Sequence, residues 1–332
     1  VAPTILPAGL SRGPGCPVNE VKVGIMLPTH VPREQPFSTN LLVETAQWAE
    51  AQGFDTLWAG DHIVHPWQFL ESLTSLTWAA AHTSRIEIGT CVLLLPMRQL
   101  AVVAAQLSAL AVLSQGRFKL GIGVGGEWPR EWQAAGISLK ERGARLDEAI
   151  PLLRRLFAGE AVAFEGRFTT LPDVTLGPAP PHIPFYLAGR APVALARAGT
   201  AADGWIGFFL TPNGFARDNK IIDEARRQAN RLDQSFQRGM LLNFHIDSSD
   251  EIAAEKSLNM NLGFPRELKL AGNTHQLKAF ALAGTARCII DRLKQYISVG
   301  CNMFSLAPMD KRDREYREQL QILANEILPE IR

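Results

Sequence analysis

"IEIGTCVLLLPMRQLAVVAAQLSALAVLSQGRFKLGIGV", residues 86–124, holds two apolar runs separated by a segment with helical spacing. Residues 86–95 read as a buried strand, 99–114 as a helix and 117–124 as the next strand. Strands joined through a helix run parallel, with a right-handed crossover. One such unit leaves open a choice between an open sheet and a closed barrel, and the count along the whole chain decides it. Further strands are expected at 21–27, 55–60, 184–189, 204–209, 239–246 and 302–309. Helical segments at 39–52, 69–83, 141–158, 192–200, 213–232, 250–262, 274–299 and 311–329 alternate with them. Eight strands, each followed by a helix, favour a (β/α)8 TIM barrel over a doubly wound sheet. Residues 160–183 are rich in turn formers and read as an insertion, with a hairpin. Residues 1–18, broken by Pro3, Pro7, Pro14 and Pro17, read as an irregular arm, and 19–332 as a single barrel domain.

Composition narrows the function. The 332 residues are 46% hydrophobic and 20% charged, with 34 basic and 33 acidic side chains well mixed. Without a basic stripe, nucleic acid is not an expected partner. The four cysteines are far apart and include no C-x-x-C, which fits a reducing compartment and argues against a cysteine-based zinc site. The longest apolar stretch, 100–113, is too short for a bilayer and is interrupted by Gln106 and Ser108. The first residues carry no signal-peptide pattern, so a cytoplasmic location away from membranes is the expectation.

In a barrel of this kind, chemistry sits where the C-terminal strand ends meet the loops. "WAGDHIVHPWQ" (58–68) places Asp61 and His62 at the end of the second strand, with His65 and Trp67 just beyond. A metal is not expected, because a loop offers no helical ligand register and the other histidines lack metal spacing. A nucleophilic triad is not expected either, since there is no G-x-S-x-G and Cys91 has no cation near it in sequence. Two readings stay open on these residues: a capped loop, or a site. "GIGVGG" (121–126) is a weak match to a dinucleotide motif, because "EWPREW" follows where a helix should open. Its small residues still let backbone amides approach an anion or a flat ring. At Ala188, Gly189 and Arg190, exposed amides before a helix beginning near Pro192 suit a phosphate.

Six segments in order carry a resemblance: "GFDTLWAGDH", "SRIEIGTCVLLLP", "LSALAVLSQGRFKLGIGVG", "ERGARLDEAI", "FEGRF" and "ADGWIGF". The chain resembles the luciferase-like superfamily of flavin and deazaflavin oxidoreductases, from about Val21 onward. Asp61-His62, rather than Glu-His-His, is similar to the branch that uses coenzyme F420. The resemblance implies hydride transfer between reduced F420 and a small organic substrate. The alternative is an FMN-dependent monooxygenase that uses oxygen and a separate flavin reductase. It also implies a homodimer and, as a further partner, a reductase that supplies reduced cofactor. His62 would be the proton donor or acceptor, and Asp61 would orient it or the ring. Asp61, Trp67, Thr90, Cys91 and Val92 would border the ring, with a non-prolyl cis peptide at Cys91–Val92. Gly123, Gly125 and Gly126 would approach the cofactor, and Ala188, Gly189 and Arg190 would hold its phosphate. Arg142 and Arg145, in "ERGAR", would line the exit of its anionic tail. Gly126 stands where related sugar-phosphate dehydrogenases have a glutamate, and no matching lysine set is present, so glucose 6-phosphate is not the expected substrate.

Overall fold

The structure, a computed structural model, describes residues 20–126, 128–260 and 279–332; the expected arm at 1–18 lies outside them. Eight parallel strands form the sheet: β1 (Lys22–Met26), β2 (Thr56–Ala59), β3 (Glu87–Thr90), β4 (Phe118–Ile122), β5 (Phe185–Ala188), β6 (Gly204–Phe208), β7 (Gln237–Ile246) and β8 (Met303–Pro308). Each pairs with the next, and β8 pairs back onto β1, so the sheet closes. This is the (β/α)8 barrel that the alternation predicts. The helices that pack outside it include α1 (Thr39–Ala51), α2 (Ser72–Ala81) and α3 (Leu100–Leu113). None of the described helices is long and apolar enough to cross a membrane.

Two layers of apolar side chains hold the fold. The larger lies between strands and helices, where residues such as Ile25, Leu57, Ile88 and Leu120 meet Ala46, Leu76 and Leu107. A smaller cluster of Met26, Trp58, Cys91, Tyr186, Ile206, Met303 and Ala307 fills the lumen. Trp58 fits there because both neighbouring strands carry glycine. A Cβ on Gly24 would stand 2.5 Å from its indole nitrogen, and one on Gly89 2.4 Å from its ring. The indole therefore spreads across three strands inside the barrel.

The differences from the sequence reading are local. The third strand stops at Thr90, and Leu95–Met97 is a short 3-10 turn where extended chain was expected to 95. The 160–183 insertion does carry an antiparallel hairpin, Val162–Glu165 with Thr170–Val174. Leu282–Gly284, inside an expected helix at 274–299, is a short strand on the end of β7; residues 279–280 before it are helical, and a further helix begins at Ala286, where the Thr285 hydroxyl caps it. Helical spacing misreads so short a run, because three residues hold too little of either period to separate them. The earlier part of that segment, 274–278, and the end of the one at 250–262 lie outside the described residues.

Candidate active site

A pocket opens at the C-terminal rim, and Met26, Cys91, Ile206 and Ala307 of the lumen cluster form part of its lining. Its lining comes from all eight strands or the loops after them, and includes Asp61, His62, His65, Trp67 and Phe69 after β2; Cys91 and Val92 after β3; Gly123, Gly125 and Trp128 after β4; Ala188, Gly189 and Arg190 at β5; and Phe208 and Phe209 at β6. The Cys91–Val92 peptide is cis, as the resemblance implied. Gly123 lies under it, where a Cβ would be 2.3 Å from Val92 Cγ2. Gly125 takes φ +54° and Gly189 φ +140°, and a Cβ on Gly189 would stand 2.6 Å from Ala194 Cβ. Bare backbone at these positions leaves the walls flat and close.

Asp61 is 3% exposed and its carboxylate is fully engaged. It receives Arg98 through both terminal nitrogens, at 2.7 and 2.8 Å, the Leu94 N–H at 2.8 Å and the Ser72 hydroxyl at 3.2 Å. This bidentate pair ties the β2 loop to the segment after the cis peptide.

The carboxylate that meets His62 belongs instead to Glu131. His62 Nδ1 lies 3.1 and 3.4 Å from its two oxygens, and Glu131 is 0% exposed. Glu131 sits in a six-residue helix, Pro129–Ala134, that follows the glycine turn. The proline that spoils the dinucleotide motif is that helix's first residue, where its fixed φ is favourable. Sequence reading passed over Glu131: a lone glutamate in "PREW" has no pattern, and its partner is 69 residues away. The signal present was an acidic residue beside Trp132 in the helix after a glycine turn at the rim.

His65 and His30 complete an aromatic wall. The His65 ring packs against His62, Phe69 and Trp128, and His30 stacks on Phe69 at 4.8 Å. His65 Nδ1 accepts the Trp67 N–H at 3.0 Å, which puts its proton on Nε2. Burial, with His62 and Arg33 nearby, pushes its pKa down to about 3. Burial, then Lys311 and the other two histidines, holds His30 well below the ordinary imidazole value. Both are therefore neutral wall residues. Burial pushes the Cys91 thiol up to about 12, so it stays protonated and is a poor nucleophile. No group of His, Cys, Asp or Glu among the described residues is arranged to hold a metal.

The low His65 value gives a pH prediction. A base whose native pKa lies below its unfolded value contributes stability that is complete above about 6.5 and is lost as pH falls toward 3. Between pH 7 and pH 4.5, His65→Asn is expected to lose about 2 kcal/mol less unfolding free energy than the parent. Urea melts of both proteins at the two pH values measure this, and equal losses would show that His65 is not desolvated.

Four expected cofactor residues do not line this pocket. Thr90 is buried, and its hydroxyl donates to the Gly121 carbonyl at 2.7 Å, tying β3 to β4. Gly126 faces Arg142, whose guanidinium donates to the Leu139 carbonyl. Arg145 pairs with Glu141 and lies over Phe168, in a different cleft. The other nine expected cofactor residues, together with His62, are brought together in the pocket.

Barrel and rim pocket define the class: a (β/α)8 protein with an open pocket at the C-terminal mouth of its barrel. The luciferase-like monooxygenase family model matches residues 21–303, and the chain belongs to that family. It is 38% identical, over 52% of its length, to the F420-dependent glucose-6-phosphate dehydrogenase of Kineococcus radiotolerans, so it spans about half (53%) of that relative. Two solved structures share the fold with a TM-score of 0.81. One is an F420-dependent secondary alcohol dehydrogenase in complex with an F420-acetone adduct, 22% identical over 94% of this chain and 99% of that one. The other is monooxygenase RslO1 from Streptomyces bottropensis, 23% identical over 93% and 99%.

Proposed function

We propose that this chain is an oxidoreductase that moves a hydride between coenzyme F420 and a small organic substrate. The observation that carries the reading is His62 at the pocket wall, held by the buried Glu131 carboxylate. The name of the 38% identical relative supports the choice of cofactor. The residues fit a planar ring: Gly123, Gly125 and Gly189 have no room for a side chain against Val92, Leu94 and Ala194, so bare backbone lines the pocket there, and the buried His30 Nδ1 lacks a partner among the described residues. The volume of about 290 Å³ sits at the low end of small-molecule sites, about 300–1,000 Å³, which leaves a tail to run out over the rim.

The coenzyme would supply the carbon that gives or takes the hydride. The chain's own residues do the rest. Glu131 fixes the ring plane of His62 and accepts from Nδ1–H, so Nε2 is the atom that exchanges a proton with the substrate oxygen. Phe69, Trp128, Phe208 and Phe209 keep water from the reacting face. Arg190 and the 188–190 backbone hold the phosphate ahead of the helix Pro192–Ala201. One charge-assisted contact is worth about 1.5–3 kcal/mol, so Arg190→Ala is expected to weaken cofactor binding roughly tenfold to a hundredfold. Unchanged affinity by titration would mean that Arg190 points elsewhere. A homodimer is part of the reading, supported by Trp78 and Val102 exposed on adjacent helices α2 and α3; sedimentation measures it.

The test of the reading is a melting-temperature titration with F420 and FMN at matched concentrations, followed by turnover with reduced F420. Stabilisation should follow ligand concentration relative to Kd and be larger for F420. Stabilisation by FMN alone, with oxygen consumed when reduced FMN is supplied, would assign the chain to the monooxygenases, with a separate reductase as partner.

A further inference from the structure

A second, larger chamber adjoins the rim pocket, and Trp67 forms part of the wall of both. It is built at the C-terminal ends of β7 and β8 and contains two donors with no adequate partner. His245, in β7, is 6% exposed, yet neither ring nitrogen has a hydrogen-bond partner among the described residues. Asp247 Oδ2 lies 3.6 Å from its Nε2, beyond hydrogen-bond reach. Lys311, just after β8, is 8% exposed and donates to the Pro308 carbonyl at 2.7 Å, leaving two of its three donors unmatched.

The two carboxylates beside them are already paired, and of the chamber's other acids Glu315 pairs with Arg312 and Glu318 with Arg314, while Glu326 also lines it. Asp247 pairs with Lys256, and Asp310 with Arg312, each at 2.5 Å. The loop is also fixed, since Gln35 Nε2 donates to the Lys311 carbonyl at 2.5 Å. A buried donor without a partner costs about 1–3 kcal/mol, more when charged, and two facing one chamber call for a common acceptor.

We propose that Lys311 and His245 form a recognition subsite for an anionic oxygen group, a carboxylate or a phosphate. Lys311 supplies the charge and two N–H donors, and His245 supplies one directional N–H. Burial lowers the Lys311 pKa to about 7 and depresses that of His245 as well, so both lose part of this penalty when an anion enters. The shared Trp67 wall places this group at the far end of a molecule whose reacting atom faces His62. That last assignment rests on the hydride-transfer reading of the neighbouring pocket; the anion binding does not.

The experiment uses the full chain and two probes, inorganic phosphate and glutarate, at constant ionic strength against chloride. Binding is read by calorimetry and as a saturable rise in melting temperature. At least one probe is expected to bind, and Lys311→Met to weaken it about tenfold or more, as the loss of a charge-assisted contact requires. His245→Leu is the independent second variant, with a smaller loss, and gives the same comparison if the lysine variant does not fold. Both should keep the parent's affinity for F420. Binding of phosphate alone points to a phosphate-bearing substrate, and of glutarate alone to a carboxylic acid; either supports the subsite. No saturable binding of either probe, or equal binding by parent and variants, overturns it. If F420 fails to bind while the anion still does, the redox reading fails and the subsite stands.

Discussion

Replacing His62 by alanine is expected to lower kcat by about a hundred- to ten-thousand-fold, the range for a positioned acid or base. Cofactor affinity should change far less, because the ring contacts are shared among several walls of the pocket. The variant therefore separates a proton-transfer residue from a wall residue. Glu131→Gln sharpens the comparison. It keeps the shape and one acceptor oxygen at the buried position 3.1 Å from Nδ1 but removes the charge. It should reproduce part of the rate loss and again spare binding. Steady-state turnover of reduced F420, with its Kd measured separately, gives both quantities. Full turnover in His62→Ala with weakened affinity would show that the proton travels by another route.

The largest stability effect should come from Asp61. Its carboxylate accepts from two nitrogens of Arg98, the Leu94 N–H and Ser72, all at the closed end of a buried loop. Asp61→Ala leaves a mostly buried guanidinium and a backbone N–H without their partner. Breaking one side of a buried pair costs about 3–5 kcal/mol, mostly from the charge left behind. For a chain of this size that corresponds to a melting temperature lower by roughly 5 °C. The double variant Asp61→Ala with Arg98→Met should recover much of this, because neither charge then remains buried. Thermal melts of the three proteins decide it. A stable Asp61→Ala protein with a collapsed kcat would instead make Asp61 a participant in the chemistry.

The two residues show where sequence reading succeeds and where it stops. Asp61 and His62 were legible because a strand period ends just before them and barrel chemistry gathers at strand ends. Their separate roles were not. Adjacent residues at a strand end point different ways, Asp61 down to Arg98, 37 residues on, and His62 across to Glu131, 69 residues on. Nothing local in "GDHIV" encodes either distance.

The fold was set by local regularities that add up along the chain. Apolar runs and helical stripes alternate eight times, and each connection has one favourable hand, so closure follows from the count. Glycines at 123, 125 and 189 were likewise visible as places where a backbone comes close. Other features depend on contacts between distant segments: Trp58 lying across Gly24 and Gly89, Thr90 turned onto Gly121, Arg145 turned away to Glu141, and the orphaned nitrogens of His245. A side chain's direction at a barrel rim is set by which neighbour completes its hydrogen bonds. Sequence alone determined the barrel and the strand ends that bear its chemistry; only the tertiary structure decided which acid faces which base, because those partners meet through space and not along the chain.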